Sequence, residues 1–274
     1  MKELYKRSLT GLIYVLIIVI FLISGAFTYY ILFSGFLIIG SLEYYKAFDS
    51  KKKVLWKIAA ILTGFLFFTA TFLDASGFFN ISFPVILSCL FLIVFITRLF
   101  FEQKELIKQS GNLFMIIIYI TLPLSLGNYL VFKQTGNISY NYQLMLNLFV
   151  LIWCNDTGAY ISGSLIGKHP FFKRLSPKKT WEGVAGGIIF TITAAYLISV
   201  FNPQYTLLFW IITGSIVSIF GTLGDLVESM LKRNANIKDM GSIFPGHGGV
   251  LDRIDSLLVS IIAVYLFVEI LKYL

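Results

Sequence analysis

The sequence predicts an all-α, polytopic transmembrane protein of about nine spans, with its N-terminus on the cytoplasmic side. Three observations predict it. First, 57% of residues are hydrophobic and only 13% charged, with a mean hydropathy of +0.83, where a soluble domain carries roughly 25% charged residues. Second, apolar stretches of bilayer-spanning length run almost end to end. Third, the basic residues fall on alternate loops.

A helix needs about 20 apolar residues to cross a bilayer. The candidate spans are Leu9–Ser24, Phe27–Ala47, Leu55–Leu73, Ile81–Leu99, Leu113–Val131, Tyr142–Leu165, Trp181–Phe201, Thr206–Leu231 and Val250–Tyr273. Only Gly25 and Ala26 separate the first pair, so that turn is short. The run after Lys6 and Arg7 has no small-residue cleavage site behind it and reads as a first span rather than a signal peptide. No lipidation motif is visible at either end. No soluble linker, tandem repeat or low-complexity tract interrupts the pattern. The expectation is a single membrane domain over 1–274, with 1–135 as a lipid-embedded scaffold and 142–274 carrying the chemistry.

With nine spans, the N-terminus and the even-numbered loops share one side. All but two of the 22 Lys and Arg residues lie there, the exceptions being Lys133 and Lys272. The positive-inside rule makes that side cytoplasmic and puts the C-terminus outside. The formal charge of +8 follows from this topology and from anionic headgroups. Nucleic-acid binding is not expected, because no soluble basic face with aromatic platforms is present. Cys89 and Cys154 lie inside apolar runs without metal-ligand spacing and read as buried small residues, not a disulfide.

Ionised groups inside a bilayer are costly, at least ~2.5–3.5 kcal/mol on insertion scales. Here they concentrate in the last four spans, toward the cytoplasmic ends. Asp225, Glu228, Ser229 and Lys232 follow helical spacing and share one stripe. Asp252, Asp255 and Ser256 do the same on the next helix. Carboxylates gathered from both stripes would repel unless a cation sat between them. Hard oxygen ligands suit Mg²⁺, which keeps waters and bridges to substrate phosphates. Asp–Arg and Asp–Lys pairs closing the helix ends are the alternative. Glu43, in Ser41-Leu42-Glu43-Tyr44-Tyr45-Lys46, reads as a structural partner of Lys46 or the nearby lysines.

The loop between those stripes, Lys238 to Gly249, carries four glycines around His247. Gly248 and Gly249 precede a helix N-terminus, a favourable phosphate site. A tight re-entrant turn is the alternative. With Lys232, Arg233, Lys238 and Arg253, the loop points to a polyphosphate. A second basic loop, Lys173 to Gly183, contains Ser176, Lys178, Lys179, Thr180 and Glu182 and is a candidate for substrate contact. Its Ser176-Pro177 reads as a turn or helix start. Asn155 and Asp156 interrupt the sixth span. His169 reads as a loop residue, and Gly183-x-x-x-Gly187 as close helix packing.

These stretches resemble the phosphatidate cytidylyltransferases, or CDP-diacylglycerol synthases. The resemblance is carried by Ser229, Leu231, Lys232, Arg233, Lys238, Asp239, Gly241, Phe244, Pro245, His247, Gly248, Gly249, Val250, Asp252, Arg253, Ile254 and Asp255, with no departure from the family pattern. Two further blocks are similar, Asn155-Asp156-Thr157-Gly158-Ala159-Tyr160 and Ser176-Pro177-Lys178-Lys179-Thr180-Trp181-Glu182-Gly183. The N-terminal half resembles the family only in length and span pattern. The resemblance implies the reaction of CTP with phosphatidate to give CDP-diacylglycerol and pyrophosphate, with Mg²⁺ and a second, monovalent cation, and it allows homodimers.

On that reading Asp225 and Asp252 are the first-choice metal ligands, followed by Asp156 and Asp255. Lys238, Arg253, Lys232 and Arg233 hold phosphates. Ser176, Lys178, Lys179, Thr180 and Glu182 contact the nucleotide or lipid headgroup. Asn155, Ser229, Asp239, Gly248 and Gly249 belong to the substrate site, and His247 either assists proton transfer or shapes the loop. A phosphate monoester is already a nucleophile, so catalysis reduces to alignment and charge neutralisation.

Two rivals remain. One is a CTP-dependent enzyme acting on another lipid phosphate or a polyprenol. The other is a secondary transporter, which would concentrate its polar groups near the midplane with repeat symmetry. The short chain without a soluble N-terminal extension suggests a bacterial plasma membrane, with the site open to the cytoplasm and to membrane lipids.

Overall fold

The computed structural model describes residues 2–48, 54–79, 83, 85–89, 92, 106–133, 138–244, 246 and 248–273. The chain is mainly helical: α1 (Lys2–Ile23), α2 (Ala26–Phe48), α3 (Val54–Ala75), α4 (Leu106–Met115), α5 (Leu122–Val131), α6 (Gln143–Ile166), α7 (Trp181–Phe201), α8 (Leu207–Asn234) and α9 (Leu251–Leu271). Among the described residues, seven helical stretches are long and apolar enough to cross a membrane, and Leu9–Ile23 forms a shorter apolar helix. Most of the expected span Ile81–Leu99 lies outside the described residues. The protein is thus an all-α polytopic membrane protein, with two small antiparallel hairpins among the described residues that the sequence did not announce. They are β1 (Phe132–Lys133) with β2 (Ser139–Tyr140), and β3 (Pro170–Phe172) with β4 (Ser176–Thr180).

The chain divides into two compact units, residues 1–142 with 239–253, and residues 143–238 with 254–274. In the first, α4 runs into α5 through a π-helical stretch, Ile116–Thr121. The Leu122 N–H reaches back to the Ile117 carbonyl across this wider turn. Pro123 follows directly. Proline has no N–H and its ring crowds the carbonyl four residues earlier, so the local widening relieves both problems. Buried polar side chains pin α2, α3 and α5 together. Tyr29 donates to Asn128 Oδ1 at 3.1 Å, and Asn128 Nδ2 donates to Phe68 O at 3.2 Å and Thr71 Oγ1 at 2.9 Å. Such bonds matter where no water can substitute.

In the second unit, small residues let backbones approach closely, the usual packing device in lipid. A Cβ on Gly158 would sit 2.7 Å from the Phe190 ring, and one on Gly187 would sit 2.7 Å from Asn155 Oδ1. Gly183 lies against the Ala159 carbonyl, so Gly183-x-x-x-Gly187 is a packing motif as expected. Thr180 caps α7 by accepting from Gly183 N at 3.1 Å. Ser176-Pro177 is neither a turn nor a helix start: it opens β4, and α7 begins at Trp181. Helix α8 runs three residues past its expected end, so Lys232 and Arg233 occupy its last turn. Beyond its end at Asn234 and the cap Ala235, Asn236 has a φ of 55°, in the left-handed region that asparagine tolerates.

Candidate active site

In the second unit, Asp225 and Glu228 project from α8 and Asp255 from α9. Each brings one carboxylate oxygen to within 4.8 Å of the other two. The helices can meet this closely because Gly224 has no side chain: a Cβ there would lie 2.6 Å from the Asp255 carbonyl. Glu228 is 1% exposed and Asp255 7%. Two lysines offset part of this negative charge. Lys232 pairs with Glu228 at 2.5 Å, one helical turn away, and Lys179 on β4 pairs with Asp225. Burial pulls the Lys179 pKa below the ordinary lysine value, while the nearby Asp255 and Asp156 carboxylates push it back up. Asp225 and Glu228 of the three-carboxylate group are thus each paired with a lysine.

A cavity of about 410 Å³ opens beside this group, within the range of small-molecule sites. α6 contributes Asn155, Asp156, Ala159, Tyr160, Gly163 and Ser164. The hairpin and α7 contribute Lys178, Lys179, Thr180, Gly183 and Val184, and α8 and α9 add Gly221, Thr222, Asp225 and Ser256. The structure thus brings together Asn155, Asp156, Lys178, Lys179, Thr180 and Asp225 from stretches far apart in sequence. Ser176 lies half-buried at the start of β4, and Ser229 is half-buried on α8. Arg233 and Lys238 are exposed.

Glu182 holds the turn that precedes the hairpin. Its Oε2 accepts the N–H groups of Lys168 and His169 at 3.2 Å each, and its Oε1 meets His169 Nδ1 at 2.5 Å. Both oxygens are thus engaged in clamping the entry to the β3–β4 hairpin that carries Lys178 and Lys179. His169 is a loop residue serving the same clamp.

The glycine-rich loop belongs to the first unit. Asp252 Oδ2 accepts from Met240 N and Gly249 N, both at 2.8 Å. Glu43, 5% exposed, accepts from Val250 N at 3.0 Å and Leu251 N at 2.9 Å. Glu43 therefore does more than offset Lys46, because it caps α9 from 207 residues away. The donors of Gly249, Val250 and Leu251 are engaged by carboxylates. Gly241 and Gly249 are needed for the same reason, since a Cβ on either would fall 2.0–2.5 Å from the Glu43 carboxyl. Gly248, with φ of 80°, makes the turn itself. Asp239 and Arg253 are exposed, and the Arg253 carbonyl accepts from Tyr14 at 3.2 Å. His247 and Pro245 lie outside the described residues.

Glu228 lay on the recognised stripe yet was not chosen as a ligand, although its spacing three residues after Asp225 carried the signal. Glu43 was read as a structural partner of Lys46 or the nearby lysines, and its bonds to Val250 N and Leu251 N were not foreseen.

Residues 5–271 match the model of the cytidylyltransferase family, so the chain belongs to that family. It is similar to the phosphatidate cytidylyltransferase of Bacillus subtilis, 34% identical over 181 residues, covering 58% of this chain and 67% of that protein. The Staphylococcus haemolyticus protein of the same name is 44% identical over 130 residues, covering 47% of this chain and 49% of its own. That of Mycobacterium bovis is 36% identical over 162 residues, covering 59% and 51%. The aligned stretches thus span about half to two thirds of these relatives' own lengths.

Proposed function

We propose that the protein is a phosphatidate cytidylyltransferase, converting CTP and phosphatidate to CDP-diacylglycerol and pyrophosphate. The observation that carries this reading is the cavity in which Lys178, Lys179, Asn155 and Asp225 meet, beside three clustered carboxylates, in a chain of the cytidylyltransferase family.

The donor set fits a hard divalent cation. Asp225, Glu228 and Asp255 offer only carboxylate oxygens, and their mutual repulsion is incompletely offset by the two lysines. These three residues would hold Mg²⁺, which supplies charge neutralisation at the phosphates. Asp252, with Oδ2 committed to the loop backbone, serves as the loop's anchor. A monovalent cation, Asp156 as a further ligand and a homodimer remain expectations of the resemblance.

In the reaction, a phosphatidate oxygen forms a bond to the α-phosphorus of CTP. The bond to the bridging α–β oxygen breaks, and pyrophosphate carries away the electron pair. Lys178 and Lys179 attract and align the polyphosphate. Buried carboxylates and lysines fixed by packing need little reorganisation as charge moves, which is where electrostatic catalysis gains most. The site opens to the cytoplasm of a bacterial plasma membrane, where soluble CTP and a lipid whose chains stay in the leaflet can meet.

The test is to incubate the full chain, purified in detergent, with labelled CTP and phosphatidate micelles. CDP-diacylglycerol and pyrophosphate should appear in equal amounts, stop when EDTA is added and resume with excess Mg²⁺. Product formation that needs a polyprenol in place of phosphatidate would overturn the reading.

A further inference from the structure

Asn155 is 4% exposed, yet it lines the cavity. Its Oδ1 accepts from Ser218 Oγ on α8 at 2.7 Å and lies 3.5 Å from Thr191 Oγ1 on α7. The Thr191 hydroxyl has a single proton and a nearer acceptor, the Gly187 carbonyl at 2.8 Å. Ser218 is therefore the main anchor. Gly187 leaves the space that Oδ1 occupies, since a Cβ there would sit 2.7 Å away. Ser218 itself is 1% exposed and is not part of the cavity lining.

A carboxamide has one acceptor and two donors, and it can turn either end outward. Here the acceptor is tied back, and Nδ2 has no hydrogen-bond partner among the described residues. We propose that Ser218 is a positioning residue. It locks the Asn155 carboxamide so that Nδ2 donates into the cavity, to an acceptor atom of the nucleotide. That atom is a phosphate oxygen or the cytosine carbonyl. The neighbouring Asp156 carboxylate accepts, so Asn155 supplies a donor beside it. A reversed amide would present its oxygen to an electron-rich ligand and repel it.

The inference rests on the cytidylyl-transfer reading, and its test separates the two. Ser218→Ala and Asn155→Asp are made in the full chain, and kcat and KM are measured for each substrate. Ser218→Ala should raise KM for CTP roughly 3- to 10-fold, the effect of one neutral hydrogen bond, with kcat and the KM for phosphatidate unchanged. Asn155→Asp keeps an acceptor for Ser218 but turns an anionic oxygen to the cavity, so its rise should be larger. Competition by inorganic triphosphate and by cytidine identifies the acceptor: whichever probe Ser218→Ala weakens carries it, and either result supports the lock.

Unchanged KM for CTP in both variants overturns the proposal. So does a fall in kcat and melting temperature together with a rise in both KM values, which is what mere structural damage would give. If the unmutated chain makes no CDP-diacylglycerol, the functional reading fails. CTP-induced thermal stabilisation of Ser218→Ala against the unmutated chain then decides the lock alone.

Discussion

Glu228 illustrates how one side chain can serve two demands. At 1% exposure it must offset Lys232 and also face two other carboxylates. Breaking a buried ion pair by removing one partner costs about 3–5 kcal/mol. Glu228→Ala should therefore lower both thermal stability and activity. Asp225→Asn is a cleaner probe, because Asp225 is half-buried and the amide conserves shape. It should reduce kcat on the order of 100-fold, the scale of losing one preorganised electrostatic contact, with little change in melting temperature. Near-normal turnover of Asp225→Asn would remove it from the metal site.

The loop from Asp239 to Arg253 depends on helix α2 in a way that can be measured. Gly249→Ala drives a methyl group into the Glu43 carboxyl, and overpacking of this kind costs about 1–3 kcal/mol. Glu43→Ala removes the obstacle but also the acceptor for Val250 and Leu251. The two changes together should destabilise the protein by less than the sum of each alone, a coupling that a double-mutant cycle in thermal unfolding reads directly. Strict additivity would mean that Glu43 and Gly249 do not share this contact. The hairpin β3–β4 is the second element whose logic is non-local. Nothing in Ser176-Pro177-Lys178-Lys179-Thr180 alternates as a strand should. Its pairing with Pro170–Phe172 and the Glu182 clamp make it one. By contrast, the stripe Asp225, Glu228, Ser229 and Lys232 was legible from helical spacing alone, because the period of a helix is a local property. Glu43 was not legible, because its partners are more than 200 residues away.

For the molecule as a whole, large apolar side chains stand exposed along the helices, among them Leu12, Ile20, Leu62, Ile189 and Leu208. In water such a surface would aggregate, whereas in hydrocarbon it is the required solvent-facing layer. The membrane character was therefore plain from composition, since lipid demands continuous apolarity. Orientation is open to experiment. In a Cys89→Ser, Cys154→Ser background, a cysteine at Lys173 should react with an impermeant maleimide only from the cytoplasmic side, and one at Gln204 only from the opposite side. The reverse pattern would invert the topology and the site with it.

The assignment of 239–253 to the first unit means that the chain enters that unit twice. No single cut separates the two. A fragment of 143–274 carries the glycine loop but leaves behind the helix whose Glu43 holds it. Co-expressed halves split at 142/143 would have to bring that loop back to the first half to work, so restored activity would report reassembly.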